Sequence, residues 1–253
     1  MVVPFEVTSY SNRICGELIT PDNTRKLPCL ILGHGFTGNR NERMLVDISR
    51  KLAEGGIASI RFDYNGHGES EGAPENVTVA GELSDLRAVL DYARKSECVD
   101  ASHIFVGGHS VGGLVPIYLY EQVPEQIEGL VLISPALSLY HEFVEELTGD
   151  RLVSMMNGEP VDFGNFRVGR KIIDECSMLS PFETAASMQP EALLIHGKCD
   201  RNTPAFNSVL LKKLWGEHAK LCLIEGADHC YMSSKATGEV ADQVTRWIQN
   251  ALN

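Results

Sequence analysis

Residues 103–112 read His103-Ile104-Phe105-Val106-Gly107-Gly108-His109-Ser110-Val111-Gly112, an apolar run that ends in the pattern G-x-S-x-G. At ordinary Gly and Ser abundance roughly one chain in ten of this length holds that pattern by chance, so its surroundings decide its meaning. A nucleophile elbow needs a strand, a sharp turn that holds the serine at strained backbone angles, and a helix starting beside the serine oxygen. Ile104 to Val106 supplies a β-branched and aromatic strand, and Gly108, Gly112 and Gly113 supply small neighbours. Leu114 to Tyr120 continues as a buried helix. Ser110 is therefore the candidate nucleophile, against the plainer reading of a glycine turn that happens to carry a serine.

Outward from this point the chain alternates short apolar runs with amphipathic segments. The runs are Cys29 to Leu32, Ala58 to Phe62, His103 to Val106, Gly129 to Ile133, Ala192 to His196 and Leu221 to Ile224. Each is rich in Ile, Leu or Val, as strands buried on both faces are. Two further strands are expected near residues 3–9 and 13–19. The βαβα order predicts a mostly parallel central sheet flanked by helices. Leu83, Leu86, Leu90 and Ala93 form one apolar stripe, and Val240, Val244, Trp247 and Ile248 another. A further helix is expected to open at Thr203-Pro204, with Thr203 as N-cap and Pro204 at its first position.

The 253 residues, 43% of them apolar, suit a single domain spanning 1–253. Residues 136–181 are too long for an ordinary connection and are expected to form a small helical lid inserted within that domain. Its apolar residues, among them Phe143, Val144, Leu147, Leu152, Val153, Met155, Met156, Phe163 and Phe166, either roof a substrate pocket or pack the lid onto the body. Twenty-two basic residues against 34 acidic ones give a formal charge of −12, which argues against a nucleic-acid partner and an anionic membrane surface. No signal-peptide pattern or membrane-length apolar run is present, and the seven cysteines include no CxxC pair. A cytoplasmic protein with a small-molecule substrate is expected; a homodimer is left open.

A serine hydroxyl needs an imidazole as base, and the imidazole needs a carboxylate to fix its tautomer. In α/β-hydrolases these follow in the order Ser, acid, His, each on a loop after a strand. Asp200 lies four residues beyond the strand that ends at His196, and His229 follows the last strand in Glu225-Gly226-Ala227-Asp228-His229. Glu183 precedes the relevant strand, while Glu225 and Asp228 sit on the histidine loop itself. His109 is expected to point away from Ser110, and His34, His67 and His196 to be structural imidazoles bonded to backbone. No HExxH or similar ligand spacing supports a metal site. The oxyanion of acyl transfer needs two donors. The backbone N–H of Val111 is one candidate, and that of Phe36, in His34-Gly35-Phe36-Thr37-Gly38 after an earlier strand, is the other.

Four blocks, residues 34–40, Arg61 to Ser70, Gly108-His109-Ser110 and Gly226 to Cys230, resemble the bacterial cinnamoyl and feruloyl esterases of the α/β-hydrolase superfamily. The resemblance spans nearly the whole chain. It implies an α/β-hydrolase fold, Ser110, Asp200 and His229 as catalytic triad, oxyanion donors at Phe36 and Val111, and no metal or organic cofactor. It also implies a lid that shapes the acyl pocket and a carboxylic-ester substrate, of ferulate type in such esterases. Residue 111 is valine where such esterases often carry glutamine or methionine, and Tyr140 is the only tyrosine in the lid segment. A general carboxylesterase, a monoacylglycerol lipase-like hydrolase, and a hydrolase-fold receptor or silent interaction protein stay open as alternatives.

Overall fold

The computed structural model describes residues 1–21 and 25–253. In chain order, β1 (Val2–Ser9), β2 (Asn12–Ile19) and β3 (Leu27–Gly33) precede α1 (Arg43–Glu54), β4 (Ala58–Phe62), α2 (Val79–Lys95) and β5 (Val99–His109). Then come α3 (Val111–Gln122), β6 (Gly129–Ile133), α4 (Leu139–Glu146), α5 (Gly149–Met156), β7 (Val161–Phe163), β8 (Phe166–Val168), α6 (Arg170–Cys176) and α7 (Pro181–Ala186). The chain closes with β9 (Ala192–Gly197), α8 (Phe206–Trp215), β10 (Ala219–Ile224) and α9 (Ser234–Ala251). The large sheet has the order β1-β2-β4-β3-β5-β6-β9-β10. Strand β2 pairs antiparallel with both β1 and β4, and every other pairing is parallel.

Period-two alternation splits the strands between two cores. Along β3, Cys29 and Ile31 face a core shared with α2, α3 and α8, while Leu30 and Leu32 face one shared with α1 and α9. Helix α2 departs from a simple apolar stripe, because Glu82 and Asp85 are buried on it while Leu83 is half-buried. Asp85 accounts for its place: its carboxylate accepts from the backbone and side-chain amides of Asn65, tying the loop after β4 to the helix.

The expected helix start at Thr203-Pro204 is displaced, and α8 begins at Phe206 with Ala205 at the N-cap. Thr203 is instead drawn inward, its N–H donating to Asp200 Oδ1 at 2.9 Å and its hydroxyl to Glu142 Oε2 at 3.2 Å. The 136–181 segment, expected as a small helical lid, also contains the antiparallel hairpin β7–β8. Phe143, Leu147 and Met155 are buried, whereas Val144, Leu152, Val153 and Met156 are exposed. The segment is fastened to the body through Glu175, whose carboxylate accepts the N–H groups of Val79 and Ala80 at the start of α2.

The β5–α3 turn demands close backbone approach. A Cβ on Gly112 would lie 2.3 Å from the Gly33 carbonyl oxygen and 2.7 Å from that of His34, both rigid backbone atoms. Gly112→Ala is expected to cost about 1–3 kcal/mol, read as a fall in Tm of roughly 3–10 °C in a thermal melt.

Candidate active site

Ser110 sits between β5 and α3 at φ 57 and ψ −115, angles that an L-residue rarely adopts. Four backbone bonds hold it there. Its N–H donates to Ile133 O at 2.9 Å, and its carbonyl accepts from Gly113, Leu114 and Ala136. The neighbouring strand β6 and the first turn of α3 thus fix the serine so that its Oγ projects into a cavity of about 360 Å3, whose walls include Phe36, Glu142, Phe143, Phe163 and His229.

The loops after β9 and β10 bring in the other two candidates. Ser110 Oγ–H points at His229 Nε2 across 3.1 Å, and His229 Nδ1–H donates to Asp200 Oδ2 at 2.8 Å. The Asp200 side chain is wholly buried. Burial alone would push its pKa up, but bonds from His196, His229 and the Thr203 N–H pull it below the usual carboxylate range. Asp200 is therefore an anion positioned to keep a proton on His229 Nδ1 and leave Nε2 as the base.

The candidate oxyanion donors come from two places. Val111 is the first residue of α3, where backbone N–H groups lack intrahelical acceptors and the helix dipole is positive. Phe36 lies in the turn closed by Gly38 N–H donating to Gly35 O at 2.9 Å. Neither the Phe36 nor the Val111 N–H has an acceptor among the described residues. His67 packs behind the same turn, its Nε2 against the Phe36 carbonyl in the peptide after the one that carries the candidate N–H. A buried ion pair of Arg40 with Asp63, extended to Glu69, pins the end of the same turn, and Arg61 donates to Arg40 O at 2.6 Å.

His34 and His67 are bonded to backbone, as the sequence suggests. His196 also bonds to backbone at Thr203 O, but its Nε2 lies 3.3 Å from Asp200 Oδ2, so it supports the acid as well. His109 turns away from Ser110 Oγ, and its Nε2–H donates to the His229 carbonyl at 2.8 Å. Reasoning from sequence missed two cavity carboxyls, Glu42 and Glu142. Burial raises the pKa of both, that of Glu42 to about 7. Neither carries a local motif; only the packing of α1 and α4 around the cavity brings them there. The hairpin β7–β8 did have a signal, Gly164-Asn165 between two short apolar alternations.

The family described as serine aminopeptidase, S33 matches residues 25–157, more than half of the chain. The chain belongs to this family. The fold is that of the α/β-hydrolases, and Phe36, Ser110 and Val111 of this S33 member all lie inside the matched region. Among solved structures it is similar to Est1E from Butyrivibrio proteoclasticus with ferulic acid bound, at TM-score 0.86 and 27% identity, covering 98% of this chain and 99% of that one. Among curated relatives, an uncharacterized 31.7 kDa Escherichia coli protein is 40% identical over 93 residues, 37% of this chain and 32% of that protein. The matched region thus spans about a third of that relative's length. A monoacylglycerol lipase of Mycolicibacterium smegmatis is 23% identical, over 95% of this chain and 94% of the lipase. Among the described residues no helix is long and apolar enough to cross a membrane.

The raised Glu42 pKa has a consequence for stability. Folding favours the acid form, so its contribution is full below the ordinary carboxyl pKa and is lost as pH rises from there to about 7. Glu42→Gln removes that loss. The variant is expected to be more stable than the parent at pH 8, by on the order of 1–3 kcal/mol, with the difference vanishing near pH 4 in denaturant titrations.

Proposed function

We propose that the protein is a serine carboxylic-ester hydrolase that works through an acyl-enzyme. The observation that carries this reading is the continuous hydrogen-bond line Ser110–His229–Asp200 opening into a cavity lined by Phe36, with Val111 next to Ser110 at the start of α3. His229 Nε2 takes the Ser110 proton as Oγ attacks the ester carbonyl, and the oxyanion is received by the Phe36 and Val111 N–H groups. The imidazolium returns its proton to the leaving alcohol. Water, deprotonated by the same imidazole, then cleaves the acyl-serine ester, while buried Asp200 stabilises the transient positive charge. Asp200, already held by His196 and Thr203, need not reorganise during the cycle.

For the acyl group, a hydroxycinnamate of ferulate type is the favoured substrate. Phe36, Phe143 and Phe163 line one part of the cavity, with Phe36 edge-on to Phe143 at 5.0 Å, giving aromatic surface for a ring to pack on beside polar groups such as Glu142 and Asn202. The Est1E likeness, with ferulic acid bound in that protein, supports the same choice. The segment 136–181 serves as a lid within the single domain 1–253. A general carboxylesterase or monoacylglycerol lipase-like activity is the second reading, supported by the near full-length similarity to the mycobacterial lipase. The family's peptidase description does not by itself set a substrate, since one scaffold hosts many acyl acceptors. A cytoplasmic setting accords with seven cysteines that form no disulfide.

Ser110→Ala is expected to abolish fluorophosphonate labelling and to lower kcat on p-nitrophenyl esters by at least about 10³-fold. Asp200→Asn is expected to lower kcat by roughly 10⁴-fold with the melting curve retained, because the amide favours the wrong histidine tautomer. Labelling of the Ser110 variant at the parental rate would exclude the mechanism. A panel of methyl ferulate, graded aliphatic p-nitrophenyl esters and a monoacylglycerol tests the acyl choice: highest kcat/KM on methyl ferulate is expected, and equal or better rates on the others would leave the general esterase.

A further inference from the structure

His109 is one of the most enclosed groups near the candidate nucleophile, and its bonding fixes where its proton sits. A carbonyl can only accept, so the 2.8 Å contact with His229 O requires the proton on Nε2. Nδ1 is then a bare lone pair. It is buried and has no hydrogen-bond partner among the described residues. Burial foremost, with His229 nearby, lowers the His109 pKa to about 3, so the ring does not solve the problem by taking a second proton.

The group that faces Nδ1 is Glu42, the residue before α1, whose Oε2 lies 3.9 Å away. An ionised carboxylate is an acceptor only and would set charge against a lone pair, whereas the acid form has an O–H to give. The carboxyl is also wedged against the oxyanion turn: a Cβ on Gly38 would fall 1.7 Å from Glu42 Oε1. Its side chain is 28% exposed along the cavity wall while His109 Nδ1 is enclosed, so closing the 3.9 Å gap takes a shift of the carboxyl rather than a bridging water. Other charged or titratable groups ring the site. They are Arg43 beside it on α1, Asp228, His229 and Cys230 on the loop after β10, Asp200 on the loop after β9, and Glu142 and Glu146 on α4. Burial outweighs the attraction of His229, and the Glu42 pKa rises to about 7.

We propose that Glu42 in its acid form donates a hydrogen bond to His109 Nδ1, and that this pair is a positioning device holding the His229 loop and the Phe36 turn in register. The role rests on the esterase reading for its effect on rate, but not for the hydrogen bond itself. It also makes the site sense a second proton. Once Glu42 ionises, His109 Nδ1 loses its donor and the pair no longer holds the His229 loop against the Phe36 turn. Glu42→Gln keeps an N–H donor for Nδ1 and removes the charge. Glu42→Ala removes both.

Two measurements test this. In the first, pH profiles of kcat and kcat/KM on p-nitrophenyl acetate are compared for the parent, Glu42→Gln and Glu42→Ala. The parent is expected to lose kcat as pH rises through about 7, where Glu42 ionises, and Glu42→Gln is expected to keep it. Turnover of Glu42→Ala is expected to be about tenfold below that of Glu42→Gln. Superimposable profiles, or equal turnover in the two variants, would overturn the proposal. In the second, ¹⁵N NMR of the His109 ring between pH 5 and 9 needs no catalysis. A neutral Nε2–H ring whose Nδ1 resonance titrates in the parent and stays constant in Glu42→Gln is expected. A protonated Nδ1, or no titration in the parent, would overturn it. If Ser110→Ala were fully active while the NMR result held, the esterase assignment would fail and the Glu42–His109 bond would stand.

Discussion

The architecture of this site depends on one strained residue. Ser110 can hold a positive φ only because its backbone is bonded on both sides, to β6 through Ile133 and to α3 through Gly113 and Leu114. That arrangement in turn requires the start of α3 to pass against the end of β3, where only a glycine at 112 leaves room for the Gly33 and His34 carbonyls. The sheet order β4-β3-β5-β6 follows from the same constraint: β3 and β6 must flank β5 for the turn to be gripped. What looks like a short motif is a contact between three strands and a helix.

From that contact the site is built as two halves that share few covalent links. One half is the Phe36 turn, held by His67 and by the Arg40–Asp63 pair on the loop after β4. The other is the pair of loops carrying Asp200 and His229, held by His196, Thr203 and His109. The 136–181 segment leans on the first half. Phe166 stacks on His67 at 4.5 Å, and Phe36 meets both Phe143 and Phe166 edge-on. Phe143 thus bounds the cavity and packs against the Phe36 turn, while Phe166 packs on that turn without lining the cavity.

Much of this was legible beforehand because it is written in local pattern. Ala58–Phe62 and Gly129–Ile133 are read correctly to the residue, since short runs buried on both faces have sharp edges. Ser110, Asp200 and His229 are marked by their places after strands, and the structure brings all three together. Less legible were residues whose role depends on a distant partner. Thr203 carries a good capping signal, yet Asp200 and Glu142 compete for its donors and win, so the helix starts later. The stripe of Leu83, Leu86, Leu90 and Ala93 gave no sign that Glu82 and Asp85 are buried, Asp85 against Asn65 from the loop after β4.

The sequence by itself determined the class of sheet, the β5–α3 turn and the places of Ser110, Asp200 and His229 after their strands, because strand periodicity, turn chemistry and loop position are properties of neighbouring residues. Only the tertiary structure decided the protonation landscape. Glu42 and His109 lie on separate elements, and nothing in either segment reveals that one will be buried against the other's lone pair. It also decided which aromatic residues of the 136–181 segment line the cavity and which face solvent. Burial and the choice of hydrogen-bond partner arise when elements pack, and they set the charge state of a carboxyl in a way that its neighbours along the chain do not.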